Sequence, residues 1–184
     1  MRTAVFVGGI DGIGKTSVVE AVRTRKPGFA VYDPGDLFGR YGTDEHILTT
    51  RAVEETVAES IVSLSNSTTL ISWHYAVRTK YGYAPRISWD LWRSVVEAPR
   101  IDQIILVLLT AHPDMICTWR KKDQEAGLKK RKLDPDCIRE ELLKTDEFFT
   151  IHSSLAAVSK KSFRTQVIWQ ENIETSAEKI LKYL

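Results

Sequence analysis

Eight residues near the amino terminus constrain this chain more than any other feature. The segment Gly9–Thr16 matches the pattern G-x-x-x-x-G-K-[ST] at every fixed position. It lies between an apolar, β-branched run at 3–7, which predicts a buried strand, and residues 16–25, where three valines share one helical face. A phosphate-binding loop requires this strand–turn–helix context, which a glycine turn that only caps a strand does not need.

The residue types of this loop suit a nucleotide polyphosphate. Glycines let the backbone curl so that successive N–H groups point inward, and the helix that follows adds its positive end. We expect Lys15 to reach the β- and γ-phosphates of ATP and the Thr16 hydroxyl to ligate Mg²⁺. The predicted nucleotide contacts are Gly9, Asp11, Gly12, Ile13, Gly14, Lys15, Thr16 and Ser17.

The rest of the chain alternates strand and helix patterns. This alternation predicts one domain over 1–184, with a five-stranded parallel sheet between two layers of helices. The predicted strands are 3–7, 29–32, 68–72, 103–109 and 166–169, and the predicted helices are 16–25, 44–65, 88–97, one from 113 into a basic segment, 134–160 and 175–183. Trp89 and Trp92 lie three residues apart on one of these helices, which is typical of core or dimer contacts.

Positive charge is concentrated in one segment. The chain has 26 basic and 24 acidic residues, and seven of the basic ones lie between Arg120 and Lys132, with only two acidic residues among them. A local basic segment on a mildly acidic body indicates one anionic ligand site and argues against a nucleic-acid partner. We predict a basic lid over residues 120–134, with Arg120 and Arg131 as its main phosphate contacts and Lys122 next. A solvated, charged helix end is the alternative interpretation.

Other features bound the class of protein. Hydrophobic residues make up 43% of the chain and charged residues 27%, which is ordinary globular usage. Cys117 and Cys137 lack the spacing of a metal site, so we expect a reducing, cytoplasmic setting. No apolar run approaches the roughly 20 residues that a membrane helix needs, and no membrane partner is expected.

Two motifs carry a resemblance to a known family. One is the loop sequence Gly-Ile-Asp-Gly-Ile-Gly-Lys-Thr, and the other is Asp33-Pro34-Gly35, directly after the second predicted strand. Together they resemble the thymidylate kinases and the related deoxynucleoside kinases, and the order of elements extends the resemblance over nearly the whole chain. It implies a P-loop kinase fold, ATP and Mg²⁺ as cofactors, and transfer of the γ-phosphate to a (deoxy)pyrimidine nucleotide. It also implies a homodimer formed through helices.

The resemblance assigns roles to three further residues. Asp33 occupies the place of a carboxylate that faces the acceptor or its sugar, although it could equally cap a turn before proline. Asp36 is a weaker candidate for the same role. Arg51 occupies the place of an arginine that binds the acceptor's phosphate; alternatively, it pairs with Glu54 or Glu55 along its helix. The aromatic residue that stacks on the base in that family is replaced by Ile47.

The main departure from the family follows the third predicted strand. The family has an acidic residue followed by arginine there, whereas this chain has Trp73-His74-Tyr75 and then Arg78. His74 or Arg78 could supply the missing positive charge, and the cavity between Asp33, Arg51 and Tyr75 is the predicted acceptor site; packing of the aromatic residues in the core is the alternative. Magnesium is left with Thr16 and no identified acid. We expect residues 169–172 to form the adenine-side loop.

Two other functions also fit the sequence. The acceptor could be a hydroxyl group, as in deoxynucleoside or other small-molecule kinases, with Asp33 as the general base. The chain could also be a nucleotide-binding regulator without turnover, which the missing acidic residue favours and the basic segment does not. A GTPase is disfavoured because the chain contains no N-K-x-D sequence.

Overall fold

The computed structural model of the chain describes residues 1–35, 37–38, 47–128 and 130–184. The predicted acceptor contact Asp36 and the first residues of the helix predicted at 44–65 lie outside these ranges. The strands are β1 (Thr3–Gly8), β2 (Ala30–Tyr32), β3 (Thr68–Trp73), β4 (Ala76–Thr79), β5 (Gly82–Pro85), β6 (Gln103–Thr110) and β7 (Ser162–Trp169). The helices are α1 (Lys15–Arg25), α2 (Ile47–Ser63), α3 (Trp89–Glu97), α4 (Pro113–Glu125), α5 (Pro135–Ala157) and α6 (Ile173–Tyr183).

The central sheet has five parallel strands in the order β2-β3-β1-β6-β7, which confirms the predicted fold class. Its central strands β1 and β6 are apolar along almost their whole length because helices cover both faces of the sheet. Val5 and Val7 face a core shared with α1 and α6, whereas Phe6 faces a core shared with α2, α3 and α5. The molecule therefore has three layers.

A small antiparallel hairpin, which the sequence patterns did not predict, follows β3. Strands β4 and β5 pair from Ala76↔Pro85 to Thr79↔Gly82 and form a separate two-stranded sheet. Strand β7 also begins four residues before the predicted start. Three of its first four residues are polar, and the sheet tolerates them because β7 is an edge strand that pairs only with β6. No helix among the described residues is long and apolar enough to cross a membrane.

This topology determines where a ligand can bind. The connection that leaves β1 leads to β2 on one side of it, whereas the connection that leaves the neighbouring strand β3 leads to β6 on the other side. In open α/β sheets, ligands bind outside the carboxyl ends of the strands at such a divergence. The glycine-rich loop between β1 and α1 lies at this point.

Candidate active site

The loop that follows β1 has the conformation that its glycines allow. Gly12 has φ 78° and Gly14 has φ 86°, both in the left-handed region. Space demands glycine as well, since a Cβ at Gly12 would lie 2.8 Å from Cγ of Arg120, and one at Gly14 would lie 2.8 Å from Nε2 of Gln170. Arg120 and Gln170, which come from distant parts of the chain, therefore pack closely against the loop.

Lys15 lies at the centre of the loop and is buried, with 6% of its surface exposed. Its Nζ donates hydrogen bonds to the carbonyl oxygens of Gly9 at 3.0 Å and Ile10 at 2.8 Å. Burial lowers the pKa of Lys15 to about 8, against the opposing attraction of the Asp11 carboxylate. The amino group of Lys15 is therefore mostly protonated at neutral pH, although burial makes its charged form unfavourable in free energy.

Thr16, the predicted metal ligand, lies beside Asp33. Its Oγ1 donates to Oδ2 of Asp33 at 3.3 Å, and Oδ1 of the same carboxylate accepts from the backbone N–H of Gly35 at 2.9 Å. Both side chains line one cavity. Hydroxyl and carboxylate oxygens are the donors that Mg²⁺ prefers, so this pair fits the ion. Asp33 thus places a carboxylate beside Thr16, whereas the sequence showed no acid at the end of the third strand.

A cavity of about 1050 Å³ extends from the loop in two directions. Toward the basic segment it is lined by Trp119, Lys122, Leu128 and Arg131, with Ile173 from the start of α6. Toward the hairpin it is lined by Asp33, Phe38, Ser72, His74, Ala76, Val77, Arg78, Tyr83, Arg86, Glu141 and Thr145. One continuous space can thus hold a nucleotide and a second small molecule.

Arg86 is the functional candidate that the sequence analysis missed. It directly follows β5, lines the cavity, and places its guanidinium carbon 3.7 Å from the centroid of the Phe38 ring. Burial lowers its pKa to about 10, although Asp11 and Asp33 act in the opposite direction. Among the described residues, no carboxylate lies within ion-pair distance of it. No sequence motif identifies Arg86, because its position depends on the hairpin β4–β5, which was not predicted.

Arg51, the predicted phosphate contact, lies outside the cavity. Its guanidinium pairs with Glu55 at 2.9 Å and with Asp90 at 2.7 Å, and it donates to Oγ of Ser88 at 2.6 Å. It therefore connects α2 to the start of α3. This arrangement corrects the expectation from the family resemblance and agrees in part with the alternative of an ion pair along the helix.

Tyr75 is also misplaced by the sequence analysis. It is fully buried in the core, and its hydroxyl lies 3.1 Å from the carbonyl oxygens of Phe6 and Val107. Its ring packs so closely on Gly8 that a Cβ there would come within 2.2 Å. The neighbouring candidates do line the cavity: His74 places Nε2 3.7 Å from Oδ1 of Asp11, and Arg78 projects from β4.

The basic segment divides into two kinds of residue. Arg131 and Lys122 line the cavity, and Arg131 forms a 2.5 Å ion pair with Asp123. Arg120 is 1% exposed and does not line the cavity. Its guanidinium binds the carbonyl oxygens of Asp11 and Lys132 and the Glu141 carboxylate. The prediction that Arg120 touches phosphate is therefore wrong for this arrangement, because three acceptors already surround it.

The predicted adenine-side segment, 169–172, reaches the loop through one residue. Gln170 is 3% exposed, and its Nε2 donates to the carbonyl oxygen of Ile13. Its backbone N–H donates to the carbonyl oxygen of Thr110 at 2.7 Å, which fixes it to the end of β6. The cavity itself is bordered here by Ile173, the next residue after the segment.

Comparison with known proteins gives structural similarity alone. No protein-family model matches the sequence, and no curated protein matches it significantly. A shikimate kinase from Acinetobacter baumannii, solved with shikimate, is 17% identical with a TM-score of 0.62, and the alignment covers 100% of this chain and 93% of that one. The YorR protein of Bacillus subtilis, in complex with phosphorylated GDP, is 15% identical with a TM-score of 0.61 over 98% and 94% of the two chains. A gluconokinase from Sinorhizobium meliloti is 13% identical with a TM-score of 0.52 over 100% and 94%. The chain therefore has the fold of the P-loop kinases.

Proposed function

We propose that the protein is an ATP- and Mg²⁺-dependent kinase that phosphorylates a small anionic molecule. The observation that carries this proposal is the set of side chains that line one cavity. Lys15 and Thr16 lie on one side of it, and Arg86, a half-buried cation with no carboxylate partner among the described residues, lies on the acceptor side with Asp33 nearby. A half-buried guanidinium with no carboxylate in ion-pair range in the described part of the chain favours an anionic ligand, which it can bind through two parallel hydrogen bonds.

The loop supplies the nucleotide half of the reaction. When ATP binds, the Lys15 ammonium exchanges the carbonyl oxygens of Gly9 and Ile10 for β- and γ-phosphate oxygens. Bound magnesium would neutralise charge on those phosphates; Thr16 would ligate it directly, and Asp33 would hold it through a water molecule, which leaves the carboxylate able to act on the acceptor. Lys122 and Arg131 border the same space and stabilise negative charge on the transferring group.

The acceptor half favours a hydroxyl-bearing acid. Asp33 is exposed in the cavity and can accept the proton of an attacking hydroxyl group, while Arg86 holds the carboxylate or phosphate of the same molecule. The similar structures include a shikimate kinase solved with shikimate and a gluconokinase, which supports a small-molecule acceptor. A (deoxy)pyrimidine nucleotide is the second candidate, and the sequence motifs of the loop and of Asp33-Pro34-Gly35 favour it.

The test is an ADP-release assay with matched acceptors. Hydroxy acids, their neutral amides, dTMP and thymidine are compared at saturating MgATP. We expect turnover with an anionic acceptor and none with its neutral analogue. Arg86→Gln should raise the acceptor KM by about tenfold or more without changing the KM of ATP, since a charge-assisted pair is lost.

Arg51→Gln is the matched control, because Arg51 is an equally charged side chain outside the cavity. The proposal of an anionic acceptor is contradicted if neutral and charged acceptors turn over equally, or if both arginine variants behave alike. Saturable MgATP binding with no product from the whole panel would instead indicate a nucleotide-binding regulator.

A further inference from the structure

Two carbonyl groups of the phosphate-binding loop are held from outside by buried side chains. The carbonyl oxygen of Asp11 accepts from Nε of Arg120 at 3.0 Å and from Nη2 at 2.8 Å. The carbonyl oxygen of Ile13 accepts from Nε2 of Gln170. Arg120 belongs to α4 and Gln170 follows β7, so the two donors approach the loop from different elements.

Each of these contacts has a consequence for the next residue. In a planar trans peptide unit, the carbonyl and the N–H of the following residue point in opposite directions. A carbonyl that is held outward therefore turns the next N–H inward. The N–H groups in question belong to Gly12 and Gly14, and both residues line the cavity.

The two donors are themselves fixed. Arg120 also donates to the carbonyl oxygen of Lys132 at 2.9 Å and to Glu141, so its guanidinium cannot rotate without losing several partners. Gln170 is fixed through its backbone at the end of β6. Contact is close on both sides, since neither Gly12 nor Gly14 has room for a Cβ against these side chains.

We infer that Arg120 and Gln170 are positioning residues that aim the Gly12 and Gly14 amides at the phosphates of the nucleotide. Neither side chain touches the nucleotide; each acts through one peptide unit of the loop. The inference rests on the nucleotide site of the proposed function. It replaces the sequence-based expectation that Arg120 binds phosphate directly.

The test is NMR of glycine amides during a titration with MgADP. In the wild-type protein labelled with ¹⁵N-glycine, the Gly12 and Gly14 signals should both shift on binding. Arg120→Lys keeps a charge opposite Glu141 and an aliphatic stem against Gly12 but loses the forked donor. We expect it to reduce the shift of Gly12, to spare that of Gly14, and to weaken MgADP binding by about tenfold or more, because an amide–phosphate bond is charge-assisted.

Gln170→Glu gives the reciprocal result and a pH signature. An ionised carboxylate cannot donate to the Ile13 carbonyl, so the Gly14 shift should be lost at high pH and Gly12 spared. Protonation at low pH restores a donor, and the Gly14 shift should return. Arg139→Lys, on the exposed surface of α5, is the control that should change neither signal.

The outcomes separate this inference from the proposed function. If MgADP shifts no glycine signal in the wild type, the nucleotide site itself is wrong. If the wild type responds but each variant affects both glycines equally, or neither, the positioning roles are wrong. If Arg120→Lys fails to fold, the pH titration of Gln170→Glu still tests whether a side chain that holds a loop carbonyl orients the next N–H group. The Gly14 signal is then the reporter.

Discussion

The buried lysine of the loop should make the nucleotide-free protein less stable than it would be without that charge. The pKa of Lys15 falls from 10.5 to about 8, chiefly through burial. At about 1.4 kcal/mol per pKa unit, keeping the ammonium charged at pH 7 costs the fold about 3 kcal/mol. Lys15→Met keeps the length of the side chain and removes the charge. It also removes the hydrogen bonds to the carbonyl oxygens of Gly9 and Ile10, each contributing about 1 kcal/mol.

Removing the cost of the buried charge outweighs the loss of these hydrogen bonds, so the free energy of unfolding of Lys15→Met should exceed that of the wild type by about 1–2 kcal/mol. For a domain of this size, the gain corresponds to a rise in Tm of roughly 3–6 °C. Thermal unfolding without nucleotide at pH 7 measures this rise. Lys26→Met, which removes a charge at an exposed position, is the control and should leave Tm unchanged. The same variant should lose MgATP binding.

The pH dependence provides a second check on this reasoning. Because the folded-state pKa lies below the unfolded one, the unfolded chain binds more protons between pH 8 and 10.5. The wild type should therefore gain stability relative to Lys15→Met as pH rises through this window. A variant less stable than the wild type at pH 7, with a gap that does not change up to pH 10, would refute the assignment of the cost to a buried charge.

Four further predictions follow from particular contacts. At pH 8, nucleotide binding should take up about half a proton as Lys15 becomes fully charged, measured by calorimetry in buffers of different ionisation enthalpy; no uptake would contradict the pKa of about 8. His152 is fully buried among aromatic rings, and burial lowers its pKa to about 4. The folded protein should therefore lose up to about 3 kcal/mol of stability as pH falls from 6.5 to 4, and His152→Leu should flatten that part of the acid-unfolding curve; an unchanged slope would argue against it. Gly8→Ala should lower the free energy of unfolding by about 1–3 kcal/mol in denaturant titrations, because its Cβ would overlap the Tyr75 ring, whereas Gly28→Ala, which meets nothing within 4 Å, should not. Arg51→Gln should lower Tm slightly through loss of the contact between α2 and α3 and leave both KM values unchanged; a large rise in the acceptor KM would restore its predicted role.

Local patterns predicted the fold because the relevant information is local. The loop motif, the apolar strand at 103–109 and the alternation of elements each depend on neighbouring residues, and the five-stranded parallel sheet follows from them. The hairpin β4–β5 was missed because its strands are short and mixed in polarity, and because Lys80 and Tyr81, which form the turn, are not typical turn residues.

The site was harder to predict because its members come from distant parts of the chain. Asp33 and Thr16 were both singled out, but their proximity depends on how β2 lies beside β3. Charge alone cannot tell a structural arginine from one that faces a ligand. Arg51 and Arg120 are occupied by acidic or carbonyl partners, whereas Arg86 faces the cavity, and only the folded arrangement separates them.

Calorimetric titration of MgATP into the folded protein tests the central claim most directly, since everything else depends on a nucleotide in the loop. We predict saturable binding of one nucleotide per chain in the wild type and none in Lys15→Met, although the variant is folded by circular dichroism. Absence of heat with the wild type, or equal binding by both proteins, would contradict the account.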